Sequence, residues 1–224
     1  VEQVGWMREW LAERFGTAAE SLWLTERVWE PDLVSDLAEA GVRSVLVDDR
    51  HFLVSGFARE QLHTWYLTEH DGQRLAVFPI DERLRYLVPF RPPAETAAYL
   101  RELHAAGQRI ALLADDGEKF GGWPGTKEWV YEKGWFDGFA AQVNALVEEG
   151  IVQLSTLGDA LDHVPSGGLA YLPSASYREM EGWALPAVPQ QALHTLEQPA
   201  GEERLARAEG GLLPLTRTTA DARF

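Results

Sequence analysis

Residues 42–49 read VRSVLVDD, a short apolar run that ends on two aspartates. The same form returns as RLAVFPID at residues 74–81 and as RIALLADDGE at residues 109–118. Continuous apolar runs of this length are typical of strands that are buried on both faces, as in a parallel sheet. Helical patterns lie between the runs, so the order strand, helix, strand predicts an α/β fold with helices covering the sheet.

The predicted helices are marked by proline and glycine. In the first 16 residues, Val4, Met7, Leu11 and Phe15 share one helical face, and Gly16 can end the helix. Three further segments have a helical pattern and end at glycine, namely residues 31–41, 94–107 and 136–150.

Composition limits the function. The chain has 35 acidic and 20 basic residues, a net charge of −15, which disfavours binding to nucleic acid. No apolar run approaches the roughly 20 residues of a membrane-spanning helix. There is no cysteine, which excludes disulfides and thiolate metal sites and fits a cytoplasmic location. Nine tryptophans are typical of sites for flat, partly apolar ligands such as sugar rings.

Acidic residues stand where the predicted strands end. In parallel α/β folds, ligands bind outside the carboxyl ends of the strands, so this rim is the predicted active site. The acids are Glu26, Asp48, Asp49, Asp81, Asp115 and Asp116.

The stretch LWLTERVWEP, residues 22–31, places Glu26 and Arg27 between Trp23 and Trp29. On a strand, neighbouring side chains point to opposite faces, so one charge would project into the rim and a partner would hold the other. A structural ion pair at the end of a strand is an equally good interpretation.

The stretch LADDGEKFGGWPGT, residues 113–126, follows two aspartates with a charged pair, Glu118 and Lys119. Phe120, Trp123 and Pro124 then predict an aromatic wall. An Asp-Gly turn that caps a helix is the alternative, but the density of charged and aromatic groups favours a functional site. In LVDDRHF, residues 46–52, His51 lacks a second ligand at metal-binding spacing, which favours a hydrogen-bonding role.

Paired carboxylates flanked by tryptophans are typical of glycoside hydrolysis, in which one attacks or stabilises the anomeric carbon and the other protonates the leaving oxygen. Burial among aromatic rings would raise the pKa of that acid. Spacing alone does not identify the two partners.

The segments WLTERVWEP, VDDRHF, VFPIDERLRYLVPFRP, DDGEKFGGWPGTKEWVYEKGW and YLPSASYREMEGWALP together resemble glycoside hydrolase family 57, in the branch of 4-α-glucanotransferases and α-amylases. The resemblance runs over residues 1–186. It implies an incomplete (β/α)7 barrel, similar to a TIM barrel, and a retaining double displacement on α-1,4-glucans or maltooligosaccharides. It implies no nicotinamide, metal or other cofactor in the chemistry.

The resemblance also implies roles for individual residues. Glu26 in the WLTER motif corresponds to the nucleophile, and Asp116, the second aspartate of DDGEKFG, to the general acid/base. Retention would place their carboxyl groups ~5–5.5 Å apart. Trp23 and Trp123 match tryptophans that line sugar subsites, and Arg27 is a candidate to hold charge or geometry. The predicted substrate-binding residues are thus Trp23, Arg27, Asp115 and Trp123.

The chain departs from the family pattern at both ends. Strands with His-Gln-Pro and Gly-Gln-Leu-Glu-like motifs are not found before Val1, and a later active-site segment is missing too. Residues 187–224 begin with a helical pattern and then lose any clear period. We therefore expect a partial barrel without its N-terminal strands, weakly active alone. Its open sheet edges would invite pairing with another copy of the chain.

These observations predict a retaining 4-α-glucanotransferase. An α-amylase that hydrolyses the same glucans is the alternative within the enzymes, since both reactions share the glycosyl-enzyme. A non-catalytic glucan-binding remnant would keep the tryptophans but has no use for the two acids. A purely structural α/β domain explains the motifs least well.

Overall fold

The computed structural model describes residues 1–195 of the 224-residue chain. The chain divides into two compact units. The first contains Val1–Pro79 and the described residues from Ser166 onward, and the second is Ile80–Pro165. The predicted domain of residues 1–186 contains the whole of the second unit and part of the first. Residues 187–195 are helical, and the tail that the sequence predicts to be irregular lies outside the described residues.

Within residues 1–195, four strands and eight helices follow one another along the chain, besides the helical residues 187–195. The strands are β1 (Ser21–Trp23), β2 (Ser44–Asp48), β3 (Tyr66–His70) and β4 (Gln73–Ile80). The helices are α1 (Glu2–Phe15), α2 (Leu33–Glu39), α3 (Asp49–Val54), α4 (Glu82–Leu87), α5 (Pro93–Ala105), α6 (Trp135–Glu148), α7 (Leu157–His163) and α8 (Arg178–Trp183). Short 3₁₀ turns lie at Thr25–Arg27, Arg59–Gln61 and Gly117–Phe120, and a π-helical turn lies at Glu128–Glu132.

The four strands form one sheet in the order β1-β2-β4-β3. Strands β1 and β2 are parallel, with Ser21 opposite Ser44, as the apolar runs predict. Strand β3 was not predicted, and it pairs with β4 in antiparallel fashion. The turn between them, Asp71 and Gly72, has positive φ at both residues (49° and 76°), the backbone of a tight hairpin. The sheet is therefore mixed rather than wholly parallel.

The run at residues 109–118 forms no strand. A backbone hydrogen bond from Asp81 N to Leu112 O, at 2.9 Å, joins this segment to the chain after β4. A strand requires a repeated ladder of such bonds with a neighbouring strand. An apolar sequence indicates burial, but it does not determine which segment will pair with it. The segment IVQLST, residues 151–156 after α6, is also outside any strand.

Helix α1 ends where the sequence predicts, because Gly16 takes the left-handed conformation at φ 74°. Its inward face differs from the prediction. Val4 packs against the core, whereas Met7 and Phe15 are exposed. The reason is Arg8, which lies on the inward face and donates to the carbonyl oxygens of Ala19 and Ala40 at 2.7 and 2.5 Å.

Each unit has its own apolar core. In the first unit the core forms around β2, β4 and the start of α3, where Val45, Val47, Phe52 and Val77 are fully buried. In the second unit the core contains Leu84 of α4, Val88 directly after it, Tyr99 of α5, Val130 of the π-helical turn and Trp135 at the start of α6. Within residues 1–195, no helix is long and apolar enough to cross a membrane.

Phe52 and Phe15 provide a matched test of where the stability of the first unit resides. Phe52 is fully buried and Phe15 is 66% exposed. We expect Phe52→Ala to lower the free energy of unfolding by about 3–5 kcal/mol, because it leaves a cavity in the core. Phe15→Ala should change it by less than about 0.5 kcal/mol. Denaturant unfolding measures both, and equal losses would contradict the assigned core.

Candidate active site

Glu26 and Arg27 lie in a strained turn directly after β1. The two residues have φ of 51° and 49°, in the left-handed region that non-glycine residues rarely occupy. Each such residue costs on the order of 1–3 kcal/mol and persists only when its surroundings hold it. The segment is thus a turn rather than a continued strand. The predicted separation of the two charges still occurs, since Glu26 is exposed and Arg27 is only 6% exposed.

Arg27 is anchored from two sides. Its Nε lies 3.4 Å from Asp48 Oδ2, in an ion pair that is largely shielded from solvent. Its guanidinium group lies over the ring of Tyr177, 4.0 Å from the ring centroid. Asp48 ends β2, and β2 runs parallel to β1, so the carboxyl ends of two neighbouring strands meet here as the sequence predicts.

Two residues distant in sequence hold Glu26 itself. The Tyr177 hydroxyl donates to Glu26 Oε2 at 2.5 Å, and Ser176 Oγ donates to the Glu26 carbonyl oxygen at 2.5 Å. Partial burial raises the pKa of Tyr177 to about 12, aided by the hydrogen bond to Glu26 and by its charge. No role was predicted for either residue, although both lie in the segment YLPSASYREMEGWALP.

His51 lies beneath the turn and is fully buried. Its Nδ1 is 2.9 Å from the Asp48 carbonyl oxygen, and its Nε2 is 2.9 Å from that of Arg27 and 3.0 Å from that of Ala175. The predicted hydrogen-bonding role is therefore observed. In residues 1–195, no group of three or more His, Asp or Glu side chains is placed to hold a metal ion.

The two tryptophans around the turn differ in their surroundings. Trp23 ends β1 and is 37% exposed, so part of its ring is available to a ligand. Trp29 is buried, and its Nε1 donates to the Leu172 carbonyl oxygen at 3.2 Å. Its backbone pairs with Ala175, which fixes the segment that carries Ser176 and Tyr177 against the turn.

In the second unit, Asp115 is the buried centre of a charged cluster. Its side chain is 3% exposed. Oδ1 accepts from Arg85 Nε and Nη2 at 3.2 and 3.1 Å, and Oδ2 accepts from Lys119 Nζ at 2.5 Å. Lys119 therefore pairs with Asp115, not with Glu118 beside it in the sequence. The backbone N–H of Asp116 also donates to Asp115 Oδ1, at 2.9 Å.

Asp116 faces outward from this cluster. Its side chain is 49% exposed, and its Oδ2 lies 3.8 Å from Arg85 Nη2. The predicted burial among aromatic rings is thus not observed at Asp116. The 3₁₀ turn Gly117–Phe120 begins directly after Asp116, which keeps Asp116 close to the buried Lys119.

An aromatic groove of ≈590 Å³ lies in the same unit. Trp123 and Pro124 line it as predicted, whereas Phe120 packs against the core of the unit instead. The ring of Trp123 stacks on that of Phe90 at 5.9 Å, and Lys119 Nζ lies within 6 Å of both ring centroids (5.2 and 5.8 Å). The residues that line the groove are Phe90, Trp123, Pro124, Gly125, Thr126 and Trp129.

Each unit thus contains one exposed acid and one exposed tryptophan of the predicted set: Glu26 and Trp23 in the first unit, Asp116 and Trp123 in the second. The carboxyl groups can bind a ligand electrostatically or transfer protons to it, and the ring faces can stack on the apolar face of a sugar. Arg27 and Asp115, also predicted to bind substrate, are buried in ion pairs.

Comparison with known proteins gives consistent matches. The sequence model of glycosyl hydrolase family 57 matches residues 1–173. The chain is 49% identical over 177 residues to the 4-alpha-glucanotransferase of Thermococcus litoralis, covering 79% of this chain and 26% of that protein. It is 47% identical over 188 residues to the alpha-amylase of Pyrococcus furiosus, covering 84% of this chain and 28% of that protein.

A crystal structure of the Thermococcus litoralis 4-alpha-glucanotransferase matches with a TM-score of 0.83 and 44% identity. The match covers 91% of this chain and 32% of that protein. The chain therefore spans under a third of the length of these relatives.

The Tyr177–Glu26 bond predicts a defined alkaline titration. The folded pKa of about 12 lies above the ordinary value of 10.0. The neutral phenol is therefore favoured by folding, and its contribution is complete below pH 10 and lost as the pH rises toward about 12. In near-ultraviolet titrations, Tyr177 should ionise late together with Tyr66 and Tyr99, whose pKa burial also raises. The late signal should therefore fall by one tyrosine in Tyr177→Phe, and the pKa of Tyr177 should fall in Glu26→Gln.

The Asp115 cluster predicts a large loss of stability when its charge is removed. Asp115→Asn leaves Arg85 and Lys119 without their buried carboxylate, and we expect the free energy of unfolding to fall by about 3–5 kcal/mol. The exposed Glu118 offers the control, since Glu118→Gln removes the same charge from the surface. Denaturant unfolding measures both variants. A small loss for Asp115→Asn would refute the anchoring role.

Proposed function

The chain belongs to glycosyl hydrolase family 57, and on that premise we propose that it forms part of a retaining enzyme that transfers glycosyl groups on α-1,4-glucans. The observation that carries the proposal is the exposed Glu26 carboxylate, held on a strained turn by Tyr177. An exposed carboxylate that is held in one orientation is suited to nucleophilic attack on a sugar.

In the proposed first step, a Glu26 carboxylate oxygen attacks the anomeric carbon and the glycosidic C–O bond breaks. The leaving oxygen takes a proton from the carboxyl group of Asp116. In the second step, Asp116 accepts a proton from a sugar hydroxyl, whose oxygen attacks the same carbon and releases Glu26. Two inversions return the α-configuration.

The remaining predicted residues divide by exposure. The exposed rings of Trp23 and Trp123 are suited to stack on sugar rings. We assign Arg27 and Asp115 to holding Glu26 and Asp116 in place, because both are buried in ion pairs.

Hydrolysis is the second candidate, since relatives named alpha-amylase match at 47% identity, close to the 49% of a glucanotransferase. The two reactions share the glycosyl-enzyme and differ in whether a sugar hydroxyl or water reaches it. Acceptor contacts and exclusion of water decide between them.

We further propose that the fold is part of a (β/α)7 barrel. The parallel pair β1–β2 with its covering helices and the match to a glucanotransferase structure support it. Location in the cytoplasm and pairing between copies of the chain stay predictions.

Incubation with maltotriose tests the activity. The chain is assayed alone and as a chimaera in which it replaces the matched segment of the Thermococcus litoralis 4-alpha-glucanotransferase. We expect longer maltooligosaccharides from the chimaera and little product from the chain alone. Glucose and maltose without longer products would favour hydrolysis. An inactive chimaera that folds would oppose both candidates.

Substitutions at the two acids test their roles. In the chimaera, Glu26→Gln and Asp116→Asn should each lower kcat by roughly 10⁴-fold, as is common for residues that take part in the chemistry. Glu13→Gln on α1, which removes an exposed acid, is the control and should leave kcat unchanged. Substantial activity in Glu26→Gln would rule out a glycosyl-enzyme at this residue.

A further inference from the structure

We propose that His51 is a positioning residue of this reaction, and that it acts on the Glu26 turn as an imidazole ring protonated on both nitrogens. The proposal rests on the proposed function of Glu26, because it concerns how that carboxylate is held. His51 does not touch Glu26 itself. It acts through the backbone of Arg27 and Ala175.

The protonation follows from the partners of the ring. Nδ1 faces the Asp48 carbonyl oxygen, and Nε2 faces those of Arg27 and Ala175, all at 2.9–3.0 Å. A carbonyl oxygen only accepts hydrogen bonds, so both nitrogens must donate. A neutral ring would turn a lone pair toward a carbonyl oxygen at a fully buried site, which is unfavourable. The ring that satisfies all three contacts is positively charged.

The charged groups around the ring are themselves paired. Asp48 is the last residue of β2 and precedes α3, and its carboxylate lies 3.4 Å from the Arg27 guanidinium. The neighbouring residues of α3 point to other partners, since Asp49 accepts from Arg59 at 3.0 Å and Arg50 donates to Glu181 at 2.7 Å. The proton on His51 is therefore argued from its three carbonyl contacts and not from a single counter-charge.

The contacts of His51 fall on the strained residues. The carbonyl oxygen of Arg27 accepts from His51, and that of Glu26 accepts from Ser176. Both left-handed residues thus have their carbonyl groups fixed by side chains from outside the turn, as strained conformations require. The same His51 Nε2 also bonds Ala175, two residues before Tyr177. One ring therefore links the turn that carries Glu26 to the segment that supplies its hydrogen-bond donor.

The protonation state can be measured on the chain itself, independently of activity. The six histidines are labelled with ¹⁵N, and the ring signals of His51 are identified by their loss in His51→Gln. At neutral pH, we expect both ring nitrogens of His51 to carry protons, as shown by ¹⁵N shifts and one-bond N–H couplings. A ring with one protonated nitrogen would overturn the proposal.

The positioning role is measured in the chimaera. His51→Phe keeps the buried ring volume without a donor, whereas His51→Gln keeps one N–H donor group. We expect kcat per folded molecule to fall at least tenfold in His51→Phe and less in His51→Gln, because displacement of a catalytic group slows the reaction. KM should stay within about twofold, since His51 does not contact substrate. His104→Gln, at an exposed histidine of the second unit, is the control.

The outcomes separate this inference from the proposed function. An active chimaera whose kcat is unchanged in His51→Phe overturns the positioning role and leaves Glu26 as the nucleophile. If His51→Phe does not fold, the split between kcat and KM in His51→Gln decides. A chimaera that folds without activity refutes the proposed function, and the ¹⁵N measurement still decides the protonation of His51.

Discussion

The left-handed turn at Glu26 and Arg27 is the constraint on which the first unit depends. Neither residue is glycine, so the conformation is unfavourable for both and must be held from outside. Three separate segments hold it: the end of β2 through Asp48, the start of α3 through His51, and the segment of Ser176 and Tyr177. A glycine would relax the turn but would remove the carboxylate that it presents. The strained backbone is therefore a consequence of presenting the Glu26 carboxylate at this position.

The second unit holds its exposed acid in a similar way, but the buried residue that anchors it carries the opposite charge. Arg27 is a buried cation that anchors the chain next to the exposed Glu26, and Asp115 is a buried anion that anchors the chain next to the exposed Asp116. In both cases the adjacent pair in the sequence divides into one residue that fixes the backbone and one that faces outward. This explains why charges stand in apolar runs such as LWLTERVW and IALLADDG.

Much of this was predictable from local patterns. The apolar runs identify β2 and β4, and glycine marks the ends of α1 and α2 at Gly16 and Gly41, both left-handed. The hairpin before β4 was missed although Asp71-Gly72 is a known turn signal. The strand predicted at residues 109–118 is absent because the run specifies burial but not a hydrogen-bonding partner.

The site itself was only partly predictable. The acids, Trp23 and Trp123 stand in recognisable segments, but no local pattern indicates that Glu26 takes a positive φ. Tyr177 is 151 residues away in the chain, and only folding brings it to Glu26. Likewise, Lys119 is beside Glu118 in sequence yet pairs with Asp115, because the 3₁₀ turn directs it inward. Contacts that depend on tertiary structure are what sequence patterns leave open.

The buried ion pairs are better explained by orientation than by stability. Removing two charges from water costs about as much free energy as their attraction returns, so apolar residues of similar volume often serve the core equally well. An apolar pair in place of Arg27 and Asp48 could fill the space, but it would lack the directional contacts to Tyr177 and to the end of β2. Arg85 and Lys119 likewise approach Asp115 from defined directions, and Asp115 in turn bonds the backbone of Asp116. Hydrogen bonds and ion pairs at these positions fix direction, and the proposed roles of Glu26 and Asp116 depend on the direction of their carboxylates.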